Sequence, residues 1–310
     1  MAYGGSLHVS RPLTNISVQY KNSDYIAGLV CKDVSVAKES DQYYVYVRDF
    51  RVPETKRADK TTAKMVTWGV STSSYSLEEH ALADIVTDRQ RRNADSPLQL
   101  DADTTEFLTD KIMLSFEKDV ADLFFTTGTW ANNTSLDTAS SWKYNTSTSA
   151  PIQNVCSGTT RIIKSSGVKP NTLILGIDAF DGLKNNANVY GRIQYVERAI
   201  MTEDLLAAVM DVDKVYVGRA VYDAGSEGIA ESITAVWGNN ALLAYFAPSP
   251  GIKKVTAACN FRQSEGGAPY KVKKWRREEL SGDEVEVSTM YKPAAIATAC
   301  AYYFSSVTSS

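Results

Sequence analysis

The stretch "DTTEFLTDKIMLSFEKDVADLFFT", residues 103–126, constrains the fold more than any other part of the chain. Leu108, Ile112, Phe116, Val120 and Phe124 recur at every fourth position, which gathers them into one apolar stripe along a helix. Asp103 and Glu106 have the spacing of a helix cap, and Gly128 supplies the stop. At about 1.5 Å per residue the helix is roughly 36 Å long. That is long enough to act as the spine of a flat domain.

The segments before it read as a long β-hairpin. In "DQYYVYVRDF", 41–50, Tyr43, Val45 and Val47 alternate with Tyr44, Tyr46 and Arg48. In "KMVTWGVSTSSY", 64–75, Val66, Trp68 and Val70 fall on one face at period two. The tip is "RVPETKRADKTTAK", 51–64, with Arg51, Lys56, Arg57, Lys60 and Lys64 against Glu54 and Asp59, a net charge of +3. A structureless loop of this length is uncommon inside a compact domain. A two-stranded hairpin is marginal alone in water, and this one carries aromatics on both faces. A neighbouring subunit is the natural source of cover. The candidate intersubunit contacts are therefore Arg51, Lys56, Arg57, Lys60, Lys64 and Trp68. Residues 1–40, polar and irregular, look like an extended arm that needs another surface. "SLEEHALADIVTDRQRRNAD" reads two ways: Ser76 and Glu79 have capping-box spacing, yet the returning strand can also continue, with a short helix around 86–92.

After the spine, 129–150 is a Ser/Thr/Asn-rich surface loop, and the pattern then turns α/β. A helix over 151–166 stops before Gly167, and "NTLILGI", 171–177, is a buried strand. Asp178 caps a short helix, "ANVYGRIQY" suggests another, and Thr202 caps "EDLLAAVMD". "DKVYVGRAVYD", 213–223, and "NALLAYFAP", 240–248, are strands. The end is strand-rich: "PYKVKKWRREE", the turn "LSGD", then "EVEVSTMYKPAAIATACAYYF". Lys271, Lys273, Arg276 and Arg277 face Glu284 and Glu286 across that turn, and opposite charges across a hairpin stabilise it by about 0.2–1 kcal/mol per pair. The register stays open, because a two-residue loop sets Glu279 opposite Glu284.

Candidate chemistry is sparse. Lys and Arg number 33 and Asp and Glu 36, so the net charge of −3 gives no global pull toward nucleic acid. The start, "MAYGGSLHVSRPL", lacks the apolar core of a secretory signal. The run "PAAIATACAYYF", 293–304, is too short to span a bilayer. Cys31, Cys156, Cys259 and Cys300 lie far apart and read as reduced, buried small hydrophobes. His8 and His80 are the only histidines, and neither has the three or four converging ligands of a metal site. No nucleophile-elbow, phosphate-loop or zinc-protease motif occurs. No catalytic, cofactor-binding or metal-binding residue is therefore expected.

The order of parts, with the residues filling it, resembles the major capsid proteins of tailed bacteriophages, the Hong Kong 97 phage-type fold. The match is carried by "RRNADSPLQLDADTTEFLTDKIMLSFEKDVADLFFTTGTW", 91–130, then "KPNTLILGIDAFDGL", "TEDLLAAVMDVDKVYVGRAVYDA" and "VWGNNALLAYFAP". Each is soft alone, but their co-linear order covers about residues 20–306. The resemblance implies an α+β capsid fold: an N-terminal arm (1–40), an extended hairpin loop (41–86), a peripheral domain with the spine helix (87–167), an axial domain (168–262) and closing strands of the peripheral domain (263–310). It implies a non-enzymatic subunit that assembles with copies of itself, in pentamers and hexamers, into an icosahedral head around double-stranded DNA held without sequence specificity. Assembly is expected in the host cytoplasm and away from membranes. Scaffolding, portal and decoration proteins are implied as further partners, and any scaffolding is expected as a separate protein, since the chain goes directly into the arm. Some relatives crosslink through a loop lysine. Lys56, Lys60 and Lys64 are placed for this, but no asparagine partner is identifiable and the balance is against it. The alternatives are an encapsulin-like compartment of the same fold, or an unrelated hydrolase or binding protein with the hairpin as a lid.

Overall fold

The computed structural model describes residues 22, 24–94, 98–136, 140–143, 148–193, 201–226, 228, 230–251, 253–263 and 269–308. In chain order the first elements are α1 (Ala27–Val30), β1 (Asp33–Ser35), β2 (Ser40–Tyr46), β3 (Val70–Ser76), β4 (Glu78–Thr87), α2 (Asp88–Asn93), α3 (Leu100–Phe125) and β5 (Asn132–Ser135). The middle holds α4 (Pro151–Ser166), β6 (Thr172–Gly176), α5 (Ile177–Lys184), α6 (Ala187–Ile193), α7 (Glu203–Met210), β7 (Lys214–Gly218), β8 (Val221–Asp223), β9 (Ile233–Ala235) and β10 (Ala241–Ala244). The last are β11 (Ala258–Gln263), β12 (Lys271–Arg277), β13 (Gly282–Ala295) and β14 (Ala301–Ser305).

The spine helix α3 is present, and Leu108, Ile112, Phe116, Val120 and Phe124 are all buried. Its stripe serves two sheets. Leu108 and Ile112 pack on Val285 and Val287 of β13. Phe116, Val120 and Phe124 share a core with Ile174 of β6 and Leu242 of β10. The helix begins earlier than its cap signal suggested: Gln99 is the N-cap, and Asp103 donates its backbone N–H to the Gln99 carbonyl at 2.9 Å. Asp101 and Asp103 instead place negative charge at the positive end of the helix dipole.

The first sheet runs β1–β11–β13–β12, with β4 along the other side of β13. The length of β13 makes this possible. Its first half pairs with β12, its second half with β11, and β4 spans Gly282 to Tyr291 on the far side. The second sheet runs β5–β14–β10–β6–β7, with β6 and β7 parallel. In β6, Leu173 and Leu175 join the core under α4, α5 and α7, whereas Ile174 faces the spine core. Burial on both faces explains the unbroken apolar run "LIL", residues 173–175.

Several local readings are corrected. Ser76 and Glu79 form no helix cap; both lie in strands, because residues 78–87 find a continuous ladder on β13. The capping box lies instead at Thr87 with Gln90, opening α2. Loop 129–150 contains β5, which pairs with β14, and buries Trp130 and Trp142. Asp178 lies inside α5, whose N-cap is Gly176, while Thr202 caps α7 by accepting from the Leu205 N–H at 3.3 Å. The stretch 213–223 divides into β7 and β8, and 293–304 breaks at Thr298–Cys300, with β14 crossing to the second sheet. The arm reading fails for residues 26–35. Ile26, Ala27, Val30 and Cys31 are buried, and β1 pairs in parallel with β11. Residues 1–21, with His8, lie outside the described residues.

Candidate assembly interface

The hairpin ladder is shorter than the alternation predicts. Ser40–Tyr46 pairs with Val70–Ser76, Val47 donates to the Gly69 carbonyl at 3.0 Å, and residues 48–68 then form no strand. Val66 and Trp68 therefore belong to the loop. Tyr43 and Val45 point inward, and Tyr43 and Tyr75 stack on Phe261 of β11 with ring centroids 5.5 and 4.6 Å apart. The opposite face is open. Tyr46 stacks on Trp68 at 5.6 Å, and the Lys253 ammonium lies 5.5 Å from the Tyr46 ring. Between the hairpin and residues 253–256 runs an apolar groove of about 810 Å³ that includes Tyr44, Tyr46, Trp68, Val255 and Ile296.

Arg51, Lys56, Arg57, Lys60 and Lys64 are all exposed on this loop. Arg57 folds back through its Nε–H to the Thr61 carbonyl, across a turn in which Lys60 takes φ 59°. Among the described residues Arg51, Lys56, Lys60 and Lys64 form no ion pair. The apolar exposure is the stronger feature, and charge alone did not signal it. Val52 is 94% exposed, Met65 93%, Trp68 75% and Phe50 64%. Phe50 lies so close over the end of α4 that a Cβ on Gly167 would come within 3.0 Å of its ring. Large apolar side chains held out in water on a loop that leaves the body mark an interaction surface.

A second polar region lies where β12, β13, α2 and the start of α3 converge. The register sets Lys273 opposite Glu286 and Arg276 opposite Asp283, because the connection 278–281 keeps Glu279 away from Glu284. Lys273 meets Glu286 at 3.0 Å, and Arg277 reaches Glu284 diagonally. Arg91 bridges Asp283 at 2.5 Å and Asp101 at 2.7 Å, Lys274 joins Asp101 at 2.6 Å, and Arg276 grips Asp88 at 2.6 Å. The hydrogen bond from Arg91 holds the Asp283 carboxyl below its usual range, and those from Lys274 and Arg91 do the same for Asp101. Sequence reasoning missed Arg91, Asp101 and Lys274, because the partners are distant in the chain. Among the described strands none pairs with the outer side of β12, and its Lys and Arg row protects that edge from unwanted strand pairing.

The remaining chemistry is structural. His80 lies in β4 and stacks on Tyr291 at 4.1 Å, so its helical spacing to Asp84 has no meaning. Among the described residues no cluster of His, Cys, Asp or Glu is placed to hold a metal. No helix among them is long and apolar enough to cross a membrane. Cys31, Cys259 and Cys300 are buried and unbridged, whereas Cys156 is exposed, contrary to the sequence reading.

No family model matches the chain. The major capsid protein of Burkholderia phage BcepMu is 28% identical over 235 residues, 75% of each chain. A phage-related protein of Bordetella bronchiseptica RB50 has the same fold, with a TM-score of 0.73 over 93% of this chain and 94% of that one at 21% identity. A chain of the capsid of cyanophage P-SCSP1u reaches a TM-score of 0.60 over 98% and 91% at 9% identity. By sequence this protein is similar to phage major capsid proteins, and by architecture it has the Hong Kong 97-type capsid fold.

Proposed function

We propose that this chain is the major capsid protein of a tailed phage, a structural subunit that assembles with itself into an icosahedral head around double-stranded DNA. The observation that carries the reading is the loop 47–69. It leaves the body with Phe50, Val52, Met65 and Trp68 open to water, in a chain related to capsid proteins. Such side chains gain stability only when a second copy covers them, at about 25 cal/mol per Å² of apolar area buried. In this reading Trp68 anchors the contact, while Arg51, Lys56, Arg57, Lys60 and Lys64 select partner and register. Pentamers and hexamers form through many weak contacts acting together. The first sheet with the spine forms the peripheral part, and the second sheet the axial part. The role is structural, not catalytic, and assembly takes place in the host cytoplasm. Packaged DNA, scaffolding, portal and decoration proteins are the further partners.

Electron microscopy of the expressed chain, with nucleic-acid quantification of particles from the phage, tests this. Closed shells that hold DNA when mature are expected. Shells filled with a protein cargo would make it a compartment protein, and a small oligomer would overturn the shell role altogether.

A further inference from the structure

Two lysines overhang the apolar groove beside the hairpin. Lys253 and Lys254 are exposed on its rim, above a floor that includes Tyr44, Tyr46, Val255 and Ile296. Among the described residues neither lysine has an ion-pair partner. Lys254 donates to the Ser249 carbonyl at 3.1 Å, and Lys253 lies over the Tyr46 ring. Lys253 also takes φ 61°, a left-handed conformation that glycine adopts at less cost. A lysine held there against the strain points to a use for its charge. An occupant of this groove must be apolar and must bring negative charge. That turns away the tip of a second copy's loop, where residues 51–64 carry a net charge of +3.

The turn between β12 and β13 has the required chemistry. Leu280 is exposed on it, beside the exposed carboxylates of Glu278 and Glu279. The adjacent arginines are engaged elsewhere. Arg276 grips Asp88 at 2.6 Å and Arg277 binds Glu284, so Glu278 and Glu279 keep only longer contacts to them, at 3.5 and 3.4 Å. Turn and groove lie at opposite ends of one strand: the turn leads into Gly282, where β13 begins, and Ile296 of the groove follows Ala295, where β13 ends. At about 3.3 Å per residue, the 14 residues of β13 hold them roughly 40 Å apart. No copy can fill its own groove with its own turn. A contact between the turn of one copy and the groove of the next is head to tail, the kind that repeats into rings or larger arrays.

We propose that the turn 278–281 of one copy docks in the hairpin groove of another, with Leu280 on the apolar floor and Glu278 and Glu279 against Lys253 and Lys254. The proposal deepens the capsid reading above and rests on it.

The test has two arms, both in the full chain. The first compares wild type, Lys253→Glu with Lys254→Glu, Glu278→Lys with Glu279→Lys, and all four changes together. Either reversed pair should lower the yield of closed particles on electron micrographs by about tenfold or more, because a small penalty is repeated at every contact. All four together exchange the charges across the contact and should restore the yield. The second arm mixes Leu280→Cys chains with Val255→Cys chains, each also carrying Cys156→Ser, under mild oxidation. A disulfide-linked dimer should form from the mixture and from neither chain alone on a non-reducing gel. A normal yield from either reversed pair overturns the proposal, as does a fourfold variant that stays defective or the absence of the mixed dimer. If a reversed pair loses its fold by circular dichroism, the disulfide alone decides. Failure of the wild type to form particles would strike the capsid reading, while the mixed disulfide would still report the contact.

Discussion

Ile112 offers the sharpest test of how the fold is held. It is 2% exposed and packs with Leu108, Val285 and Val287 where the spine crosses the first sheet. Ile112→Ala removes three carbons, worth about 2.4 kcal/mol at ~0.8 kcal/mol per buried methylene. The cavity left behind adds to this, because the β13 ladder limits collapse, giving about 3–4 kcal/mol. Against a typical total of about 5–15 kcal/mol, the Ala variant should remain folded but weakened. Ile112→Asp adds an unpaired charge in the same place and should not fold. Urea unfolding of unassembled subunits, followed by far-ultraviolet circular dichroism, measures both. Asp103→Ala, on the exposed side of the same helix, serves as control and should cost at most about 1 kcal/mol through the helix dipole. An Ile112→Ala variant as stable as that control, or a soluble folded Ile112→Asp, would show that the stripe is not core.

Other outcomes follow from the surface and the titratable groups. Deleting residues 53–62 should leave a subunit with wild-type unfolding but few closed particles on electron micrographs; normal particles would remove the loop from the interface. The carboxyls of Asp283 and Asp101 are held below their usual range by Arg91 and Lys274, so their stabilising contribution is present above that range and is lost as pH falls through the depressed values. The stability gap between wild type and Asp283→Asn should therefore close between about pH 5 and pH 2, and a constant gap would refute the network. Glu117 works in the opposite sense. Burial raises its pKa despite the hydrogen bonds from Ile26, Ala27 and Trp237, so ionising this carboxyl to its acceptor form costs the folded subunit stability as pH rises from the ordinary range through the raised value. Among the thiols, Cys156 should react with a maleimide in the native subunit, while Cys31, Cys259 and Cys300 should react only on unfolding. Rapid labelling of Cys259, whose thiol burial pushes up to about 12, would contradict its placement.

The sequence by itself determined the elements whose signals are periodic and self-contained. The spine stripe, the helix ending before Gly167, the Thr202 cap and the buried strand around Leu173–Leu175 each follow from a repeat or a local stop. It also exposed the charged hairpin tip and the order of parts that resembles a capsid protein. Only tertiary structure decided the features that depend on what lies opposite. Ser76 and Glu79 have the spacing of a helix cap, yet the ladder with β13 makes that stretch strand, because ten residues of pairing outweigh one local hydrogen bond. The strand-rich stretch 284–304 serves two sheets, since an apolar residue carries no label for which face will bury it. Arg91 and Lys274 joined one charge network, and Glu117 became the buried acceptor for residues 26, 27 and 237, only once distant segments were brought together. Periodicity reports how a segment meets a surface, whereas a converging polar group depends on partners that no local window contains.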